Sequence, residues 1–161
     1  HHGGTGNAMF HRTIFSDDGL AMRFDPYFNF IGAEDADLIY RLRKRKVELR
    51  YSRKAKTYSK APRDRSTIGY MLRRWRHQTH SWGKVLMRHE PWGYARLVIL
   101  GRIFQATASA ITYSALGAIV IVGSETKGLQ HLMTALCHLC RAGGFVAALF
   151  RPLKTPYAPS E

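Results

Sequence analysis

The residues Phe24–Phe28 (FDPYF) and Gly32–Arg41 (GAEDADLIYR) decide the fold expected of this 161-residue chain. An aromatic loop stiffened by Pro26 leads into two adjacent acids, Glu34 and Asp35. The apolar residues that follow recur at helical spacing, with arginines and lysines between them. This pattern predicts an amphipathic helix that begins at the two acids.

The two acids therefore lie in the first turn of the predicted helix, where free backbone N–H groups and the helix dipole favour carboxylates. A carboxylate held there stays ionised and fixed in direction, which suits a group that takes a proton from a hydroxyl. Asp35 is our candidate for this catalytic base. The alternative is that Glu34 and Asp35 only cap the helix, as acids at this position commonly do.

Four sequence blocks follow one another between Thr5 and Trp82. They are Thr5–Arg12 (TGNAMFHR), Phe24–Pro26 (FDP), Gly32–Asp35 (GAED), and Ala61–Thr67 (APRDRST) with Leu72–Arg74 (LRR). In this order and at this spacing they resemble the C-terminal half of a family 2 glycosyltransferase. The resemblance is closest to the non-processive branch that builds bacterial exopolysaccharides such as succinoglycan.

The resemblance implies an α/β fold, namely a partial GT-A (nucleotide-diphospho-sugar transferase) fold followed by a helical, membrane-associating C-terminal tail. We expect the acceptor-side, catalytic half of the GT-A domain in residues 1–90, truncated at its N-terminus. Membrane-associated helices are expected in residues 91–151 and a loose tail in residues 152–161. The alternation of apolar and polar residues in Val47–Tyr51 predicts a strand, and Ala8–Phe10 and Ala55–Ser59 are expected to form shorter ones.

The resemblance also implies an inverting sugar transfer from a nucleotide-sugar donor to a lipid-linked oligosaccharide, in surface or exopolysaccharide synthesis. In that reaction Asp35 removes the proton of the acceptor hydroxyl, and Glu34 orients Asp35 or the acceptor. Gly6 and Asn7 are expected to contact the substrate. Arg73 or Arg74 is expected to reach the nucleotide diphosphate, where a guanidinium neutralises the charge that builds on the leaving group.

A divalent metal ion, Mg²⁺ or Mn²⁺, is expected in the parent enzyme, with ligands mostly outside this chain. Residues Asp35 to Asp37 spell a DxD motif, but they follow the GAED block rather than the strand that carries the metal-binding acids of the family. No metal ligand is therefore assigned in this chain. Because the nucleotide-binding half is expected upstream of His1, the fragment by itself is expected to be inactive.

The helix predicted after the cap residues Ser66 and Thr67 runs through Trp75 towards Trp82. In processive relatives such as cellulose synthases, the corresponding helix carries a QxxRW motif. Here Met71 stands in place of the glutamine. The broken motif favours the addition of single sugars over polymerisation.

Charge is distributed unevenly along the chain. The net charge is +14, and 17 of the 25 lysines and arginines lie between Arg41 and Arg88. The 20 residues of Ile103–Val122 carry no charge. An α-helix needs about 20 residues to cross a bilayer. The segment Leu129–Phe150, which is interrupted by polar residues such as Arg141, is either a second span or an amphipathic helix in the interface, and we favour the interface. Arginines beside the first segment favour a bacterial inner-membrane location with the catalytic part on the cytoplasmic face.

Two alternatives from other functional classes remain at this point. A basic chain with an arginine-rich helix around Trp75 could bind nucleic acid, using the apolar tail for oligomerisation. It could also be a basic membrane-anchoring module without catalysis. The apolar segments favour the membrane, so the expected partners are the sugar donor, the lipid-linked acceptor and the membrane, without nucleic acid.

Overall fold

A computed structural model of the chain describes residues 7–28, 32–52, 54–58 and 62–151. These residues form two compact units, one up to residue 58 and one from residue 62. The first unit contains helix α1 (Glu34–Lys44), and the second contains α2 (Ile68–His89), α3 (Trp92–Val120) and α4 (Glu125–Phe150). Short 3₁₀ turns lie at Arg12–Ile14, Pro26–Phe28 and Arg63–Ser66.

The expected α/β fold with a partial GT-A domain is wrong, because the described residues contain helices and turns but no strand. Val47–Tyr51 has no regular secondary structure, and its apolar members Leu49 and Tyr51 are 46% and 86% exposed. Regular secondary structure is also absent from Ala8–Phe10 and from residues 55–58, the described part of Ala55–Ser59. An alternating pattern makes a strand only when a neighbouring strand takes up its backbone hydrogen bonds, and the described residues offer none.

The first unit is built around the apolar side of α1. Leu38 and Leu42 are fully buried against Ile14 and Met22, and side chains from the turns before α1 and from the segment after it close this core. The helix predicted at Glu34 is therefore confirmed. Turns at Ser16–Gly19 connect the first 3₁₀ turn to the segment that leads to Asp25.

Helix α1 ends in a Schellman motif. The N–H of Lys46 donates to the carbonyl of Arg43, and the N–H of Val47 donates to the carbonyl of Leu42. Lys46 takes the left-handed position of this motif, with φ of 57°, where glycine is the usual residue. Val47 then packs on the core that contains Leu42, which is the apolar contact that accompanies this cap.

The second unit is a bundle of three helices. The predicted cap at Thr67 is confirmed, since its side chain accepts a hydrogen bond of 3.2 Å from the N–H of Tyr70. Helices α3 and α4 pack against each other as an antiparallel pair joined by a short turn, and α4 also packs along α2. Helix α4 is therefore the element that holds the bundle together.

Small residues let the helices approach closely. A Cβ atom placed on Gly128 of α4 would lie 2.6 Å from the Cα of Ile121, and one placed on Gly117 of α3 would lie 2.8 Å from Leu132. On the other side of α4, a Cβ on Gly144 would collide with the backbone carbonyl of Arg76 and with the hydroxyl of Thr79. Such spacing is typical of helices that pack backbone to backbone inside a membrane.

The outer surfaces of α3 and α4 are apolar and exposed. Both helices are long and apolar enough to cross a membrane, and most of the apolar stretch of each is not covered by protein. Exposed side chains on α3 include Leu100, Phe104 and Ile111, which are 54%, 77% and 67% exposed. In a soluble bundle, side chains of this kind would face a core. Their exposure fits contact with lipid. The second apolar segment lies within α4, which is a continuous helix of 26 residues.

Candidate functional site

The candidate site is the N-terminal end of α1. The chain enters the helix through Gly32, whose φ of 75° lies in the left-handed region that favours glycine. Ala33 occupies the cap position and offers no side-chain hydrogen bond to the helix. The first free N–H groups of α1 therefore depend on the acids that follow.

Asp35 takes up this role. Its Oδ1 accepts a hydrogen bond of 2.7 Å from the N–H of Ala36, within the first turn. The side chain is partly buried, and within the described part of the chain its second oxygen has no partner. One oxygen is thus fixed by the helix while the other is open to a hydrogen-bond donor. Asp35 caps the helix, as the simpler interpretation expects, and the same geometry leaves it competent as a base.

Glu34 lies beside Asp35 in the same turn and is also partly buried. Two carboxylates at one helix start interact favourably with its dipole. The structure therefore brings the two predicted catalytic acids together, with Asp35 the one that is held by the backbone.

Asp37, which the sequence analysis considered only as part of a DxD motif, has a structural role at this site. It is fully buried, and its Oδ2 lies 2.8 Å from Nε and 2.7 Å from Nη2 of Arg41. Arg41 also donates a hydrogen bond of 2.6 Å from Nη2 to the carbonyl of Arg23. This arrangement ties α1 to the aromatic loop that precedes it. The i, i+4 spacing of an acid and an arginine was the available signal.

Asp25 starts that loop and shapes it. Its Oδ1 accepts a hydrogen bond of 2.9 Å from the N–H of Tyr27, at the beginning of the Pro26–Phe28 turn. Its carboxylate lies within 4.8 Å of that of Asp37. Because the Asp37 carboxylate is already neutralised by Arg41, this pair does not fit a divalent cation, and we derive no chemical step through a metal.

The predicted substrate contacts are placed as follows. Asn7 is exposed and donates a hydrogen bond of 3.0 Å from Nδ2 to the carbonyl of Ala55, while Gly6 lies outside the described residues. No hydrogen bond joins Asn7 to Asp35 between the described residues. The Asn7 side chain therefore connects its own segment to the segment around Ala55. Its amide NH₂ is used in this contact, so the amide oxygen is the group that could contact a ligand.

Arg73 and Arg74 lie in the first turns of α2, in the second unit, and both are exposed. Deeper in the same helix the cations become partly buried. Burial lowers the pKa of Lys84, and burial also lowers the pKa of His80, against the opposing effect of its contact with the carbonyl of Arg151. The Nε2 of His80 lies 3.3 Å from that carbonyl, which closes the C-terminal end of α4.

No protein-family model, curated protein or solved structure matches this chain.

Proposed function

We propose that this chain is the acceptor-side portion of a membrane-associated, inverting glycosyltransferase. It would transfer a sugar from a nucleotide-sugar donor to a lipid-linked oligosaccharide in the synthesis of a surface polysaccharide or exopolysaccharide. The proposed activity does not require this chain to form a GT-A domain. Its main support is Asp35, with one carboxylate oxygen held by the Ala36 N–H and the other open.

In the proposed reaction, the open oxygen of Asp35 accepts the proton of the acceptor hydroxyl. The hydroxyl oxygen then forms a bond to the anomeric carbon of the donor sugar while the bond to the nucleoside diphosphate breaks. Glu34 adds negative charge beside Asp35 and orients it or the acceptor, and Gly6 and Asn7 contact the sugar or acceptor. Arg73 or Arg74 pairs with the departing diphosphate, for which their exposed guanidinium groups are suited.

The donor-binding residues, and the ligands of the divalent metal ion that the parent enzyme would use, are attributed to sequence outside this chain. The pair Asp25 and Asp37 is not a substitute for them, since Arg41 neutralises Asp37. The chain alone would therefore not turn over substrate.

The bundle supplies the proposed membrane location. Helices α3 and α4 are apolar and exposed, whereas α2 carries the exposed cations Arg73, Arg74 and Arg76. Cations next to an apolar pair of helices favour anionic lipid headgroups over nucleic acid. Arginines lie at the start of α3 and just after the end of α4, which is the same end of the helix pair. In this proposal, that end is at the cytoplasmic face of the bacterial inner membrane.

The test is the substitution Asp35→Asn in the full-length protein, measured as sugar transfer from nucleotide-sugar donors to a lipid-linked acceptor. Loss of a general base typically lowers the rate by about 10²–10⁴-fold, while donor binding should be unchanged. Asp18→Asn, at an exposed acid in the preceding turns, is the matched control and should leave transfer intact. Unimpaired transfer by Asp35→Asn would remove Asp35 from the mechanism and leave a basic membrane anchor.

A further inference from the structure

A polar cavity of about 70 Å³ lies between α3 and α4, inside a pair of otherwise apolar helices. From α3 it is lined at helical spacing by Arg102, Gln105 and Ser109, and from α4 by His138 and Arg141. This volume exceeds what a single water needs. Ionisable residues between membrane helices are costly to place there, and they commonly mark a binding site.

The cavity offers hydrogen-bond donors and lacks acids. Among the described residues neither Arg102 nor Arg141 has a carboxylate partner. Arg102 donates to the side-chain oxygen of Gln105 at 3.0 Å, which leaves the amide NH₂ of Gln105 as a further donor. The Nε of Arg141 is buried without a hydrogen-bond partner. A site of two cations and several donors fits an oxyanion.

The walls of the cavity hold its polar groups in place. The ring of His138 stacks on Tyr113 of α3, with the ring centres 5.6 Å apart and an angle of 8° between the planes. The guanidinium carbon of Arg141 lies 5.5 Å from the ring centre of Trp75 in α2. Both side chains are therefore oriented by aromatic rings before any ligand arrives, which lowers the entropy lost on binding.

The position of the cavity along α3 indicates where the oxyanion comes from. Arg102 directly precedes the charge-free run that starts at Ile103, and the 18 residues of this run that belong to α3, Ile103–Val120, span about 27 Å, close to the thickness of the hydrocarbon core. When this run fills the core, Arg102 and the cavity lie at its boundary, where lipid phosphates are found.

We propose that this cavity binds the phosphate group of an anionic phospholipid, with Arg102 and Arg141 as the charged contacts and Gln105, Ser109 and His138 as polar ones. The inference rests on the membrane insertion included in the proposed function, but not on sugar transfer. In this proposal, an anionic phospholipid binds at one end of the α3 and α4 pair.

The experiment measures binding of phosphatidylglycerol to the purified chain in phosphatidylcholine nanodiscs, as the fraction of bound lipid against its mole fraction. One cation near an anionic lipid surface is worth roughly a fivefold change in affinity, so Arg102→Gln and Arg141→Gln together should weaken binding by about 25-fold. Arg96→Gln is the matched control, because Arg96 lies on the same helix but stacks on Trp92, outside the cavity. As a single cation near the same surface it should change affinity by no more than about fivefold, against about 25-fold for the double variant.

A second variant, Ser109→Leu, fills the cavity without changing its charge. It should also abolish the preference for phosphatidylglycerol, and helical content from circular dichroism shows that each variant is folded. Retained binding in both the double variant and Ser109→Leu overturns the inference, as does an equal loss in Arg96→Gln.

Soluble inorganic diphosphate is the other source of the same chemistry. If it displaces the lipid at equal concentration, the site is one for free phosphate and the lipid assignment is overturned. Flotation of the wild-type chain with pure phosphatidylcholine vesicles separates the two proposals. A chain that floats but shows no preference for phosphatidylglycerol overturns only this inference, whereas a chain that does not float overturns membrane association as well.

Discussion

The two adjacent glycines of α4, Gly143 and Gly144, should respond in opposite ways to the same added methyl group. A Cβ at Gly143 would meet no atom within 4 Å. A Cβ at Gly144 would collide with the carbonyl oxygen of Arg76 and the hydroxyl of Thr79, and would lie 3.1 Å from the Thr79 Cβ. The carbonyl is backbone and cannot rotate away, so α2 and α4 would have to separate.

The expected magnitudes follow from these contacts. Alanine in place of glycine within a helix stabilises by up to about 1 kcal/mol, so Gly143→Ala should raise the free energy of unfolding. Overpacking typically costs about 1–3 kcal/mol. Gly144→Ala should therefore gain the same helix-propensity term as Gly143→Ala but lose this packing energy. The difference between the two variants cancels the helix preference and should amount to about 1–3 kcal/mol of packing.

Thr79 cannot relieve the collision by changing rotamer. Its hydroxyl already donates within α2, lying 3.1 Å from the carbonyl oxygens of both Trp75 and Arg76. Rotation would break these contacts and still leave the Arg76 carbonyl in place. A helix-to-helix displacement is therefore the expected response, and cross-linking distances between α2 and α4 should increase.

The assay is equilibrium unfolding of each variant in mild detergent, driven by increasing the fraction of sodium dodecyl sulfate and followed by tryptophan fluorescence and circular dichroism. Trp75 and Trp82 lie on α2 and report on its separation from α4. If Gly144→Ala is as stable as Gly143→Ala, the close packing of α2 on α4 is incorrect.

Four further predictions concern the remaining contacts. Asp37→Asn leaves Arg41 without its buried partner and should destabilise the first unit by on the order of 3 kcal/mol in thermal unfolding, unlike a substitution at an exposed acid. Lys46→Gly should raise stability in the same assay by up to about 1 kcal/mol, because it relieves the left-handed backbone at the end of α1. Thr67→Ala removes the α2 cap and should cost about 1 kcal/mol in detergent unfolding. Burial lowers the pKa of His80, so the unfolded chain binds this proton first as the pH falls, and the midpoint of unfolding should fall as the pH drops below the ordinary value of 6.5. His80→Gln should reduce this dependence, and an unchanged pH profile would contradict the prediction.

Local signals in the sequence predicted the helical elements well. The first-turn acids located the start of α1, Thr67 located the start of α2, and the charge-free run Ile103–Val122 located α3. Each signal depends on residues within a few positions of each other, so the physical cause lies in the chain itself.

Features that depend on distant partners were not predictable in this way. The alternation in Val47–Tyr51 suggested a strand, but pairing needs a second strand, and the described residues provide none. Arg102 and Arg141 are 39 positions apart and meet only because of the register of α3 on α4. From sequence alone Arg102 was a cation beside the first apolar segment, and Arg141 was an interruption of the second. The burial of Asp37 likewise depends on how α1 packs, which its i, i+4 spacing to Arg41 does not reveal.

Under the proposed membrane insertion, the short turn between α3 and α4 is the part of the helix pair that must be carried through the bilayer. Only the residues around Gly123 separate the two helices, and the first charges after the turn are Glu125 and Lys127, which have opposite sign. Translocation of the helical hairpin therefore moves a small segment whose charges cancel. Under the proposed membrane insertion, α3 and α4 would enter as one pair, with the start of α3 and the end of α4 on the same side.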